Sequence, residues 1–380
     1  MEDSCLPEGG VSRVRMQSSR CTGFRFSAAA GPLPDAVLDR VQRELRDWRG
    51  NGASVLALPF TSKAFRDLAA EAVANLRALL AVPDNYRVLL MHGGASAQFA
   101  AVPLNLLRGR GTASYVDTGY WSGKAIAEAR RYCKVNVAAS SAATGYDRVP
   151  DPALWTMDAG VAYCHITSNE TAHGLQYRSP PDTGDVPLAA DMTSDFLTQP
   201  LEIPRFGLIY AGAQKNMGIA GLTVVIVRED LLGHAHPCTP SVFDYGVQAK
   251  HSSLYNTPPT FAIYLAGLVF KWLQAQGGLA TMEESNRRKS AWIYTAIERS
   301  EGFYRCQVQP EWRSQVNVCF QLANETLTPT FLEAAQCAGL FQLAGHPNAG
   351  GVRASLYNAM PEEGAEALAR FMETFAARNA

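Results

Sequence analysis

Seven lysines occur in the 380 residues, and six of them, at 63, 124, 134, 250, 271 and 289, fall in helical or polar stretches where a solvated ammonium is the ordinary state. Lys215 differs. It follows the apolar run Leu208-Ile209-Tyr210-Ala211 and is set among Gly212, Ala213, Gln214, Asn216 and Gly218. Small neighbours let a flat ligand approach the backbone, and a partly desolvated ammonium gives up its proton more easily. An amine with a lowered pKa is what Schiff-base chemistry requires. On spacing alone, an ordinary structural lysine accounts for these residues as well. Asp191 closes the sequence Ala189-Ala190-Asp191. A carboxylate at a strand end can hold a protonated ring nitrogen, while a turn or cap aspartate is the plainer alternative.

His92-Gly93-Gly94-Ala95-Ser96-Ala97-Gln98 lies between an apolar run and a helical segment. Glycines followed by a small hydroxyl residue at a helix start can cradle a phosphate with backbone N–H groups and the positive end of the helix dipole. The spacing is neither Gly-x-Gly-x-x-Gly nor a Gly-Lys-Thr loop, so nucleotide fingerprints do not fit, and a tight strand-to-helix turn remains open. Trp121, after Gly119-Tyr120, could stack on an aromatic ligand or pack in the core.

These residues require a scaffold, and the hydrophobic periodicity supplies one. Helices are expected from 35 to about 50, where Val37, Val41, Leu45 and Trp48 recur at helical spacing, and over 64–81. From Arg87 onward, short apolar runs at 88–91, 113–116, near 135, 161–165, 186–190, 208–211 and 222–227 alternate with helical segments. That alternation predicts an α/β domain with a largely parallel sheet, whose ligands gather at the carboxyl ends of the strands. A long helix over 259–276 leads to Gly277-Gly278, a candidate boundary. Beyond it, helices near 283–300 and 361–378 with strands near 317–322 and 352–357 predict a smaller α+β unit.

Composition narrows the function. Lys plus Arg (34) nearly equals Asp plus Glu (35), which argues against a nucleic-acid binder or a lipid-clinging surface. The eight cysteines form no Cys-x-x-Cys pair, so reduced thiols in a cytoplasmic protein, without a metal site, are expected. The most apolar stretch, 261–273, is interrupted by Lys271 and is shorter than the roughly 20 residues a bilayer requires. Residues 1–23 are expected to be a flexible tail.

Taken in order, these motifs resemble the phosphoserine aminotransferase family, fold type I enzymes of class V that depend on pyridoxal 5'-phosphate. The likeness runs from about Phe26 to the C-terminus through Gln98-Phe99-Ala100-Ala101-Val102-Pro103-Leu104-Asn105 and the stretches 115–121, 209–217, 222–233, 256–261 and 353–361. It implies a large domain over 35–277 with a mostly parallel seven-stranded sheet, a small C-terminal α+β domain over 278–380, and a segment over 24–34 packing with the small domain. It implies that Lys215 carries the cofactor as a Schiff base, Asp191 pairs with the pyridine nitrogen, Trp121 stacks on the ring and Thr171 meets the cofactor hydroxyl. Ala95, Ser96 and Gln214 would hold the phosphate, joined by Asn256 and Thr257 across a homodimer with composite sites. Arg353 would grip the substrate α-carboxylate, and a guanidinium fork suits that task on geometry alone.

Two departures bear on the substrate. Where the family carries Ser-His-Arg-Gly, this chain has Pro59-Phe60-Thr61-Ser62, and the family's Gly-His-Arg reads Gly345-His346-Pro347. Each lost charge-assisted contact is worth on the order of 1.5 to 3 kcal/mol. The expectation drawn is an aminotransferase for a small, non-phosphorylated 2-oxo acid or amino acid, with Phe60, Thr61 and His346 lining its side-chain pocket. The alternatives are a genuine phosphoserine aminotransferase whose phosphate site is rebuilt by Lys63, Arg49 or Arg66, and a lyase on the same fold.

Overall fold

The computed structural model describes residues 23–379; the tail expected over 1–23 lies, apart from Gly23, outside the described residues. The described chain opens on a two-residue strand, β1 (Phe24–Arg25), followed by α1 (Asp35–Glu44) and α2 (Lys63–Leu80). In α2 the Ser62 side chain accepts the Phe65 N–H at the start, and Phe65, Leu68, Ala72, Leu76 and Leu80 form the buried face. α1 ends at Glu44, short of the expected 50. Trp48–Gly50 form a separate 3-10 turn in which Arg49 has φ 55°, a left-handed backbone that cannot continue an α-helix.

Strands and helices then alternate through β2 (Tyr86–Met91), α3 (Gly94–Leu106), β3 (Thr112–Asp117), α4 (Tyr120–Ala129), β4 (Lys134–Ser140) and β5 (Cys164–Thr167). A small hairpin of β6 (Asn169–Glu170) and β7 (Leu175–Gln176) precedes β8 (Leu188–Asp191), β9 (Leu208–Gly212) and β10 (Thr223–Arg228). Seven of these strands form one sheet in the order β2-β10-β9-β8-β5-β3-β4. All run parallel except β10, which pairs antiparallel with both β2 and β9. The β5 ladder begins at Cys164 instead of the expected 161, although Ala162 N still donates to Thr112 O.

Helices α5 (Tyr245–Lys250), α6 (Thr260–Ala275) and α7 (Gly278–Arg299) follow. One apolar core packs α2 and α6 on one face of the sheet, and a second packs α3 and α4 on the other. The smaller C-terminal domain contains β11 (Tyr304–Arg305), β12 (Asn317–Leu322), α8 (Thr328–Cys337), β13 (Leu340–Phe341), β14 (Val352–Ser355) and α9 (Glu362–Asn379). Its core gathers Phe320, Phe331, Leu368 and Met372, and also Phe26 from the chain start, because β1 pairs in parallel with β13.

The topology has a direct consequence for the site. Strands β2, β3, β5, β8 and β9 all point their carboxyl ends to the same edge of the sheet, where loops can converge.

Candidate active site

A cavity of about 390 Å³ opens at that edge, lined by residues from each of those strand ends. Gly94, Ala95 and Ser96 follow β2, Trp121 follows β3, Thr167, Asn169 and Thr171 come from the end of β5 and its hairpin, Asp191 ends β8, and Gln214 and Lys215 follow β9. The small domain adds His346 and Arg353, and Ala28 and Ala29 close the cavity from the chain start.

Lys215 is 8% exposed, and its Nζ lies 5.8 Å from the centroid of the Trp121 ring. Both of its chain neighbours are held in place. Gly31 N donates to Gln214 O (2.8 Å), and Asn216 donates to Ser194 O and accepts from Asn358 N. Gly31 must lack a side chain, since a Cβ there would lie 2.0 Å from Lys215 O. Burial lowers the Lys215 pKa to about 8, opposed by the nearby Asp191 charge and reinforced by the Arg353 charge.

Asp191 is buried, and its Oδ1 accepts the Thr193 N–H at 2.9 Å. Burial raises its pKa, with Thr193 and Lys215 opposing. Trp121 is fixed by Nε1, which donates to Thr171 Oγ1 at 2.8 Å. Arg353, on β14, donates from Nη1 to Thr171 O at 3.0 Å. The His346 ring packs on Tyr120 with centroids 4.3 Å apart, and its pKa is lowered by burial and by the Arg353 charge.

Four of the expected positions do not line this cavity. Phe60 packs against the large-domain core, and Thr61 is exposed, its carbonyl accepting from Arg66 Nη1. Asn256 and Thr257 lie outside the cavity, with Thr257 exposed and its carbonyl 2.9 Å from His92 Nε2. Conversely, sequence reasoning missed Asn169, Thr167, Thr193, Ser194, Ala28 and Ala29. The polar pair Thr193-Ser194 just past Asp191 was a usable signal. Ala28 and Ala29 offered none, being small residues nearly 200 positions from Lys215 in the chain.

The donor set suits pyridoxal phosphate. A buried carboxylate and an amine of lowered pKa face one cavity beside an indole. The N-terminus of the 13-residue helix α3 offers unpaired N–H groups at Gly94, where nothing lies within 4 Å of a would-be Cβ. The Thr167 hydroxyl, buried and without a partner, also belongs to this lining. Among the described residues no group of three His, Cys, Asp or Glu could hold a metal, and no helix is long and apolar enough to cross a membrane.

Fold and cavity together define a fold type I, pyridoxal-phosphate-dependent transaminase, and the aminotransferase class-V family profile matches residues 24–368. The chain is 52% identical over 358 residues to a phosphoserine aminotransferase of Laribacter hongkongensis, covering 94% of this chain and 99% of that one. The solved phosphoserine aminotransferase of Bacillus circulans subsp. alkalophilus superposes with a TM-score of 0.92 at 44% identity, covering 96% of this chain and all of that one. A pyridoxal-phosphate-bound phosphoserine aminotransferase from Trichomonas vaginalis gives 0.88 at 37% identity, covering 92% and 99%. The chain belongs to the phosphoserine aminotransferase family.

This overturns the expectation of a non-phosphorylated substrate. Identity of 52% across nearly the whole of both chains supports the family's own substrate. The physical flaw in that expectation is visible in the cavity. It treated Phe60 and Thr61 as walls of the side-chain pocket, whereas neither lines the cavity formed by this chain, and His346, which does, is retained.

The lowered Lys215 pKa makes one pH dependence testable. Covalent uptake of pyridoxal phosphate by the apo-protein needs the neutral amine, so its rate is expected to rise about tenfold per pH unit below 8 and to level off above. Growth of the yellow absorbance after mixing measures it. A rate still climbing through pH 10 would mean an unperturbed lysine.

Proposed function

We propose that this protein transfers the amino group between phosphoserine and its 2-oxo acid in serine biosynthesis, as a cytoplasmic homodimer with composite active sites. The observation that carries the reading is the convergence of Lys215, Asp191, Trp121 and Arg353 on one cavity in a chain half identical to phosphoserine aminotransferases. The exposed Thr257 and half-buried Asn256, which lie outside their own cavity, support a role against the cofactor phosphate of a neighbouring subunit. The six described cysteines are free thiols, as a reducing compartment allows.

Bound pyridoxal phosphate supplies an aldehyde that accepts the amino group and a pyridine ring that withdraws electrons from the substrate carbon. The chain supplies the rest. Lys215 Nζ holds the cofactor and, once released by substrate, removes the proton from the substrate Cα and returns it on the cofactor side. The Asp191 carboxylate keeps a proton on the pyridine nitrogen. The α3 N-terminus at Gly94, Ala95 and Ser96, with Gln214, receives the phosphate. The Thr171 hydroxyl meets the cofactor hydroxyl, and Arg353 grips the α-carboxylate.

In a homodimer with composite sites the substrate phosphate would be met by His346 and by Arg66 of the neighbouring subunit, since Arg66, like Thr61, does not line its own cavity. The Arg66 guanidinium folds back onto the Thr61 carbonyl, bringing a cation to the place where the family sequence carries its arginine. Of the two other candidate cations, Lys63 is paired with Asp67 and Arg49 with Glu71. Arg66→Met is expected to lower kcat/KM for phosphoserine about tenfold or more while leaving unphosphorylated serine within about twofold. Steady-state assays on both substrates test this. An equal loss on both would remove Arg66 from phosphate recognition.

A further inference from the structure

Glu170 does not line the cavity, yet it is a fully buried carboxylate one residue before Thr171. Its Oε2 accepts the Trp121 N–H at 3.0 Å and its Oε1 the Ser122 N–H at 2.8 Å. These are the second and third residues of α4, whose N-cap is Gly119, a residue with no side chain to accept them. The carboxylate therefore does from β6 what a cap residue ordinarily does from within its own helix. There is no slack in the arrangement. Gly119 has φ 154°, and a Cβ there would lie 2.8 Å from both Glu170 Cδ and His173 Nδ1.

The neighbouring residue holds the other end of the same tryptophan, since Thr171 Oγ1 accepts the indole Nε1–H. Glu170 and Thr171 thus grip Trp121 at its main chain and at its ring edge. Thr171 O in turn accepts from Arg353. Burial pushes the Glu170 pKa up to about 7, while the two helix N–H groups act to retain its charge.

We propose that Glu170 is a positioning residue that sets the Trp121 indole against the cofactor ring, acting through the first turn of α4 and not by contact with the cofactor. This rests on pyridoxal phosphate occupying the cavity and is independent of which amino acid is the substrate. A plain helix cap would add to stability whatever residue stood at 121. A positioning residue acts on cofactor binding through Trp121, and its effect vanishes when the indole is absent.

The test is a double-mutant cycle on the apo-protein with wild type, Glu170→Gln, Trp121→Phe and the double variant, titrated with pyridoxal phosphate. The readouts are Kd and the induced circular dichroism per mole of bound cofactor. Glu170→Gln keeps the shape but turns an amide N–H toward a helix N–H. It is expected to weaken binding about tenfold, the size of a lost charge-assisted cap, and to alter the dichroism. In the Trp121→Phe background the same change should weaken binding less than about twofold. An undiminished effect in that background would overturn the proposal, as would wild-type Kd and dichroism in Glu170→Gln. Should Glu170→Gln not fold, Glu170→Asp, which keeps the charge but retracts it by one carbon, enters the same cycle with the same two criteria. Failure of wild type to bind pyridoxal phosphate would instead strike the reading of the cavity itself.

Discussion

Lys215→Ala is expected to abolish amino transfer, with a loss of at least about a thousandfold in turnover, because in the proposed function one side chain both carries the cofactor and moves the proton. No neighbour can substitute. Lys289, also buried, donates to the carbonyls of Leu356, Tyr357 and Met360 and does not line the cavity. The variant should still bind pyridoxal phosphate through the α3 N-terminus, Gln214 and Asp191, but without covalent attachment. Borohydride treatment followed by peptide mapping separates the cases. Wild type should carry the reduced cofactor on Lys215, and label on another lysine would contradict the assignment.

Arg353→Leu is expected to lower kcat/KM about a hundredfold for every amino acid tried, since the α-carboxylate is common to all. Arg353→Lys should recover part of this at most, because an ammonium cannot form the two parallel hydrogen bonds of a guanidinium fork. The loss should fall on substrate binding, and the affinity for pyridoxal phosphate should change little. The guanidinium touches Thr171 through the main-chain carbonyl and leaves the Thr171 hydroxyl to Trp121. A loss confined to phosphorylated substrates would move Arg353 from the carboxylate to the phosphate.

The strand-end residues that line the cavity were legible because they sit where apolar runs stop. Lys215 follows one buried strand and Asp191 ends another, and Gly93-Gly94 marks the turn from β2 into α3, so periodicity and small residues mark them without any tertiary information. What periodicity does not carry is lateral order. The insertion of β10 between β2 and β9, antiparallel to both, is set by long-range pairing that no local pattern encodes. The same limit hides Ala28 and Ala29, brought over the cavity by the β1–β13 pairing and by the Gly31–Gln214 hydrogen bond. The role of Glu170 was not legible either, because an acidic residue in a two-residue strand gives no sign that it caps a helix about 50 positions earlier.

The substrate was the part most exposed to error, and for a geometric reason. The absence of His-Arg at 60 and 61 is a fact of the sequence, but its effect depends on where those positions point. Phe60 packs on its own core and Thr61 lies at the surface beside Arg66, so two missing cations at these positions do not make this cavity apolar. Direction is a tertiary property, and a motif read along the chain does not contain it.

The most direct measurement is the half-reaction of the purified yellow holoenzyme with single amino acids, followed through loss of the cofactor's visible absorbance. Phosphoserine is expected to discharge the colour with a kcat/KM at least about a hundredfold above that of serine or alanine, equivalent to roughly 2.7 kcal/mol of binding to the phosphate in the transition state. Faster discharge by an unphosphorylated amino acid than by phosphoserine would contradict the proposed function.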